Sequence, residues 1–311
     1  MTGFKPALKP PALPKGATVG IVAPASPLPD QEYLERGLAF WRRRGYRVRL
    51  GSHINAATGY LAAGDDQRLA DLHRMFCDPE VQAVVCLRGG YGSLRLLADL
   101  DYELIAAHPK ILVGYSDITA LHLAINKKTG LVTFHGPMIY PELGSQSPSP
   151  YTVKSLFCTL EATVPPDPIS PASNLPPAVT INPGRAQGIV IGGNLSLVVA
   201  TLGTPSEIDT RGKILFLEEV NEAPYRLDRM LTQLHLAGKL AEAAGIVFGF
   251  AGEATALGVI TARLQLTGRP CFYGLPAGHI NPQVTLPLGI HAWLDAEACT
   301  LTYLEAATAP A

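Results

Sequence analysis

The sequence predicts an α/β protein in two parts: an N-terminal domain built on a doubly wound parallel sheet, then a C-terminal, more strand-rich α/β domain. Three observations lead there. Short apolar strands alternate with amphipathic helices from residue 18 to residue 134, the pattern of a parallel sheet with helices on both faces. Apolar periodicity then fades between 145 and 184, where Ser147-Pro148-Ser149-Pro150, Pro165-Pro166-Asp167-Pro168 and Pro176-Pro177 dominate. Finally, 311 residues exceed what one core comfortably organises. The expected division is 1–160, a proline-rich linker over 161–184, and 185–311.

Each element has its own reason. Thr18-Val19-Gly20-Ile21-Val22-Ala23 is apolar enough for a buried strand and stops at Pro24-Ala25-Ser26-Pro27. A helix over 30–44 follows, closed by Arg42-Arg43-Arg44 at the negative end of its dipole, and then a strand over 46–50. Asp65-Asp66 open a second helix, with Leu69, Leu72 and Phe76 at core spacing. The strand over 83–87 runs into the turn Arg88-Gly89-Gly90-Tyr91-Gly92-Ser93, with a helix over 94–100 beyond. The stretch 111–122 changes character halfway: Ile111-Leu112-Val113 is strand, whereas Ile118, Leu121 and Ile125 share one helical face. Gly114-Tyr115-Ser116-Asp117 makes the sharp turn between them. A strand over 131–134 ends at His135-Gly136-Pro137.

The second half opens with a strand and glycine turn, Gly188-Ile189-Val190-Ile191-Gly192-Gly193-Asn194, and a short helix over 195–201. A strand over 214–220 carries Glu218 and Glu219, and a helix over 224–235 points Leu227, Leu231 and Leu234 inward. Strands over 246–250 and 299–303 complete the set, with Gly278-His279-Ile280-Asn281 in the tail between them.

Composition narrows the function. A formal net charge of −1 with no long basic run argues against nucleic acid as a partner. The five cysteines are scattered with no C-x-x-C pair, which fits reduced thiols rather than a disulfide framework. No H-E-x-x-H or other metal-ligand spacing occurs, so no metal or cofactor is expected. No apolar run is long enough to span a bilayer and residues 1–15 lack a signal-peptide apolar core; a soluble, cytoplasmic protein is the expectation.

Chemistry points to the ends of the strands, where α/β sheets collect their sites. Ser26, Gly89-Gly90, Ser116 and His135 stand at such ends. A serine between strand and helix can be a nucleophile backed by the unpaired N–H groups of the helix start. Equally, Ser116 or Asp117 can be a plain helix cap. A nucleophilic serine requires a base and a group that orients the base. Of the eight histidines, His135 and His279 sit beside glycine at turns, and His279 precedes a rigid proline-containing segment. Glu218 and Glu219 face opposite sides of their strand, so at most one of them can serve the site. The Arg88-Gly89-Gly90-Tyr91-Gly92 turn can cradle a phosphate, donate to an oxyanion, or simply reverse the chain; it matches neither G-x-G-x-x-G nor a P-loop.

Taken together, Arg88-Gly89-Gly90-Tyr91-Gly92, Gly114-Tyr115-Ser116-Asp117, Phe134-His135-Gly136-Pro137, Gly192-Gly193-Asn194-Leu195, Leu217-Glu218-Glu219-Val220 with Pro224-Tyr225-Arg226, and Gly278-His279 resemble the LD-carboxypeptidase (muramoyltetrapeptide carboxypeptidase) family of serine peptidases. The likeness runs from about residue 17 to residue 303. It implies Ser116 as nucleophile, His279 as base, Glu218 as the orienting acid, and the N–H groups of Gly90 and Asp117 as the oxyanion hole, with the site in the cleft between the domains. The family usually shows Glu-Asp where this chain has Glu218-Glu219, so the first carboxylate is the match. The implied reaction releases D-alanine from a cell-wall tetrapeptide, in a homodimer. Arg88, Tyr91 and Arg226 are the candidate substrate contacts, the two arginines for the substrate's terminal carboxylate. The same family includes immunity proteins that cleave an aminoacyl-nucleotide antibiotic and carry a base-stacking Trp in the loop region. Here Trp41 and Trp293 lie outside 145–184, though Tyr151 lies inside it. A non-catalytic muropeptide-binding module is the reading of another class, and the intact Ser, Glu and His argue against it.

Overall fold

The computed structural model describes residues 6–172, 174–252 and 254–310. The first half runs β1 (Thr18–Val22), α1 (Gln31–Arg43), β2 (Arg47–Leu50), α2 (Asp65–Cys77) and β3 (Val81–Cys86). It continues through α3 (Tyr102–Ala107), β4 (Ile111–Gly114), α4 (Thr119–Thr129), β5 (Thr133–His135) and α5 (Pro150–Leu160). The second half begins with β6 (Val179–Asn182), β7 (Arg185–Asn194), α6 (Leu195–Ala200), β8 (Ile214–Glu218) and α7 (Pro224–Leu236). Then come α8 (Lys239–Glu242), β9 (Gly245–Phe248), α9 (Ala254–Gln265), β10 (Cys271–Tyr273), β11 (Leu286–Leu288), β12 (His291–Asp295) and β13 (Thr300–Tyr303).

Two sheets result. The first has the order β11-β5-β4-β3-β1-β2, parallel throughout except for β11, which pairs antiparallel with β5. The second has the order β13-β12-β7-β8-β9-β10-β6, with a parallel centre from β7 to β10 and antiparallel strands at both edges. The fold is therefore a two-domain α/β architecture. The chain crosses between its sheets more than once, since β11 from the C-terminal part completes the first sheet.

Residue alternation along the strands explains how the sheets pack. In β4, Ile111 and Val113 enter one core while Leu112 enters another. In β8, Ile214 and Phe216 join that first core, and Leu215 and Leu217 face α7 residues Leu227 and Leu231 instead. In β9, Val247 takes the inner side, with Ile246 and Phe248 on the outer. The two sheets thus share one apolar core between them, and each carries helices on its outer face. Every residue of β1, β4, β8 and β9 is buried, as expected of parallel strands covered on both sides.

Three local outcomes differ from the expectation. The helix expected over 94–100 is a tight 3-10 turn at Ser93–Leu96, and α3 begins only after Asp101, whose carboxylate caps it by accepting from Leu104 N at 2.9 Å. The Ser-Pro string at 147–150, where apolar periodicity fades, launches α5: Ser149 Oγ accepts from Thr152 N at 3.4 Å, and Pro150 sits in the first turn, where its missing N–H costs nothing. Within the proline-rich stretch 161–184, β6 pairs with β10. Among the described residues, no helix is long and apolar enough to cross a membrane.

Candidate active site

The parallel order β2-β1-β3-β4-β5 places the turns after β1, β3 and β4 side by side at the carboxyl edge of the first sheet. Ser116 stands one residue beyond β4, after Tyr115, at φ 63°, a left-handed conformation that costs a non-glycine residue about 1–3 kcal/mol. Its hydroxyl does not cap a helix; Ser116 Oγ lies 3.1 Å from His279 Nε2. Asp117 is no cap either. Its buried carboxylate accepts from Ser93 N at 2.8 Å, and Ser93 Oγ donates to the Asp117 carbonyl at 2.5 Å, tying the turn after β3 to the turn after β4.

His279 arrives from the loop between β10 and β11. Its Nδ1 lies 2.7 Å from Glu218 Oε2, and its backbone N–H donates to the same oxygen at 3.1 Å. An ionised carboxylate can only accept, so Nδ1 carries the proton and Nε2 is free to accept from the serine. Gly278, at φ 90°, permits this approach: a side chain there would overlap Glu218 Oε2. Tyr115 packs its ring edge-on against the imidazole, centroids 4.8 Å apart.

Strand alternation decides between the two glutamates. Glu218 continues the inward series of Ile214 and Phe216 and is fully buried against the site. Glu219 points the other way, accepting from Ser196 N at 2.9 Å, Ser196 Oγ at 2.7 Å and Asn194 Nδ2 at 3.0 Å, so it anchors the start of α6. Burial alone would push the His279 imidazole down, but the Glu218 carboxylate outweighs it and its pKa rises above 6.5. Burial would likewise push Glu218 up, and the facing imidazole brings it below the usual carboxylate range instead. The rival histidine, His135, is buried at the end of β5 between Tyr115 and Phe216, with centroids 5.7 and 5.0 Å away. Burial pushes its pKa down to about 3, and its ring nitrogens meet no partner among the described residues.

The glycine turn after β3 lies against the serine. A Cβ on Gly89 would stand 2.8 Å from Ser116 Cβ and 3.3 Å from Asp117 N. Gly90 is at φ 107°, and Ser26 braces the loop, its N–H donating to the Gly89 carbonyl at 3.3 Å and its Oγ accepting from Tyr91 N at 3.1 Å. Of the other candidates, Arg88 donates from Nη1 to the Pro27 carbonyl at 2.9 Å. Tyr91 is half exposed beside Tyr60. Arg226 sits on the exposed start of α7, paired with Glu222 and Tyr225.

Two contacts had no sequence signal. Glu142, in the turn after β5, accepts from the Tyr115 hydroxyl at 2.6 Å and from Met138 N at 3.2 Å, so a half-buried carboxylate anchors the ring that flanks His279. Thr119 Oγ1, at the start of α4, accepts from Asn194 N at 2.9 Å; a Cβ on Gly193 would stand 2.5 Å from that oxygen, which seats the end of β7 on the helix behind Ser116. Among the described residues no three His, Cys, Asp or Glu side chains gather as a metal-binding group.

Comparison with known proteins places this chain in a family. Residues 19–136 match the LD-carboxypeptidase N-terminal domain, and residues 187–294 the LD-carboxypeptidase C-terminal domain. A probable murein peptide carboxypeptidase of Bacillus subtilis is 46% identical over 299 residues, covering 92% of this chain and 91% of that one. The crystal structure of a muramoyltetrapeptide carboxypeptidase from Oxalobacter formigenes superposes with a TM-score of 0.81 at 30% identity, over 92% of this chain and 97% of that one. The microcin C7 self-immunity protein of Escherichia coli is 28% identical over 313 residues, covering 90% of this chain and 91% of that one, and its apo structure gives a TM-score of 0.87 over 97% of this chain and 100% of that one. With both domain models matched across most of its length, this chain belongs to the LD-carboxypeptidase family of serine peptidases.

Proposed function

We propose that the protein is a serine carboxypeptidase that hydrolyses the bond between an L-configured centre and the terminal D-alanine of a murein tetrapeptide, with Ser116, His279 and Glu218 as its triad. The observation that carries this reading is the relay of 3.1 Å from Ser116 Oγ to His279 Nε2 and 2.7 Å from Nδ1 to Glu218 Oε2. Ser116 Oγ attacks the scissile carbonyl carbon while His279 Nε2 takes the hydroxyl proton, a step of general-base help that contributes roughly 10²–10⁴-fold. The N–H groups of Gly90 and Asp117 hold the resulting oxyanion; loss of one such donor costs on the order of 10²–10³-fold. Collapse breaks the C–N bond, and His279 passes its proton to the leaving amine of D-alanine. Water then enters and attacks the acyl carbon as His279 takes its proton; the bond to Ser116 Oγ breaks, His279 returns the proton to Oγ, and the shortened peptide leaves. Glu218 stays ionised and stabilises the imidazolium in both halves.

The murein peptide and muramoyltetrapeptide names of the Bacillus subtilis and Oxalobacter formigenes relatives support the substrate. The likeness to the self-immunity protein, solved in complex with aspartyl sulfamoyl adenosine, favours a second reading, cleavage of an aminoacyl nucleotide. Against it, Trp41 is buried among Phe40, Tyr46 and Phe157, and Trp293 lies on β12, next to the edge strand of the second sheet. The reading includes a cytoplasmic setting, supported by five unpaired cysteines, and a homodimer, which light scattering of the purified protein checks. Parallel incubation with a murein tetrapeptide and with an aspartyl-adenylate analogue tests the substrate. D-alanine released from the first with the second intact is the expected result; cleavage of the second alone would overturn it.

A further inference from the structure

Arg68, in the first turns of α2, is a buried cation that the triad chemistry does not use. Burying a guanidinium is unfavourable unless its donors and its charge are met. Here the turns at the carboxyl edge of the first sheet meet them. Nε donates to the Ala63 carbonyl at 3.1 Å and Nη2 to the Asp65 carboxylate. Nη1 donates to two carbonyls, that of Pro24 and that of Gly92, the second at 2.9 Å. Asp65 supplies the opposite charge, and it also holds Arg95 at 2.7 Å.

The two contacts of Nη1 join two turns of the site. Pro24 opens the turn after β1, and Gly92 lies in the turn after β3 that carries Gly90. A guanidinium Nη has two hydrogens, so one nitrogen fixes the spacing between both turns. Ser26 spans the same gap, donating from its N–H to the Gly89 carbonyl at 3.3 Å and accepting from Tyr91 N at 3.1 Å. Those two bonds bracket Gly90, and they hold only while the spacing holds. The fit around Arg68 is close: Gly92 is at φ 132°, and a Cβ there would stand 2.8 Å from Nη1. The residue after Gly92 carries the tie onward, since Ser93 N donates to the Asp117 carboxylate at 2.8 Å.

We propose that Arg68 is a positioning residue for the oxyanion hole: by tying Pro24 to Gly92 it sets the place of the Gly90 N–H without touching substrate. This rests on the serine-peptidase reading, with Gly90 and Asp117 as donors, and names what holds the first of them. A donor of this kind acts only if it is aimed in advance at the position the oxyanion will occupy. A displaced turn therefore weakens the transition state and leaves substrate binding as it was.

The test compares the wild-type protein with Arg68→Met and Arg68→Lys in three measurements. They are kcat and KM for D-alanine release, affinity for a tripeptide boronic acid whose boron stands in for the scissile carbonyl carbon, and affinity for the tetrapeptide in a Ser116→Ala background. In Arg68→Met, kcat should fall by about 10²-fold, the cost of one lost oxyanion donor, and boronate affinity by a similar factor. Tetrapeptide affinity should stay that of Ser116→Ala alone. Arg68→Lys keeps the charge and a donor and should fall between. Wild-type kcat and boronate affinity in Arg68→Met, with only the melting temperature lowered, would show a packing residue and overturn the inference. Tetrapeptide affinity lost as heavily as kcat would overturn it too. Boronate capture by the wild type without D-alanine release would overturn the carboxypeptidase reading alone, and Arg68 would then stand or fall on boronate affinity. No capture at all would overturn both. A dissociation constant does not depend on the fraction folded, so partial misfolding cannot imitate the expected pattern.

Discussion

Ser116 holds a backbone conformation that a helix cap has no need of, and its hydroxyl faces an imidazole already committed, through its other nitrogen, to a buried carboxylate. Ser116→Ala keeps the same backbone and removes only the reacting oxygen, so D-alanine release should fall by a factor on the order of 10⁶ with the melting temperature little changed. A colorimetric D-alanine assay beside a thermal melt checks both. His279 must be neutral to act as base, and Glu218, Glu219 and Glu142 all favour its protonated form. The acidic limb of kcat/KM against pH is therefore expected above 6.5. The glycine turns narrow the candidates to Ser116 and to His135 or His279, and leave a helix cap open; the family resemblance, not the turns, singles out Ser116 and His279. Glu142 has no such signal: its role exists only because the turn after β5 folds back onto Tyr115.

At the scale of the element, β8 carries the argument. Period-two alternation extends from its apolar residues to its two carboxylates, turning Glu218 inward and Glu219 towards α6. Glu218→Gln should lower kcat by about 10⁴-fold, because an amide leaves His279 in the wrong tautomer. Glu219→Gln should cost about 1 kcal/mol of stability through the weakened start of α6 and far less activity. Equal losses of activity in the two variants would contradict the assignment. The alternation itself was legible in the sequence, but which face was inward was not, since that depends on where the other sheet lies. The α5 region shows the opposite failure. Its Ser-Pro start carries the composition of a linker, and only the packing of Leu156 and Leu160 into the shared core makes it a helix of the domain.

Across the whole molecule, the two sheets share one core, and the relay crosses between them at its edge. Contacts such as Asn194 N to Thr119 Oγ1, Gln283 N to Thr152 Oγ1 and Thr285 N to Ser155 Oγ, each 2.9 Å, hold the second half on the first. The Glu218–His279 pair gives this clamp a pH dependence. The raised imidazole pKa contributes stability below 6.5 that is lost as pH rises through its folded value; the lowered carboxylate pKa contributes above 4.5 and is lost as pH falls. Melting temperature should therefore gain most from this pair between pH 4.5 and 6.5, below the range where activity is high, and Glu218→Gln should flatten that gain. The parallel first sheet was legible from strand–helix alternation alone. The return of β11 to it was not, because a three-residue strand 150 residues distant leaves no periodic trace. Mass mapping after treatment with a fluorophosphonate tests the central claim most directly. The account predicts one covalent adduct on the peptide containing Ser116 in the wild type and none in His279→Ala; an adduct on another residue, with D-alanine release abolished, would contradict it.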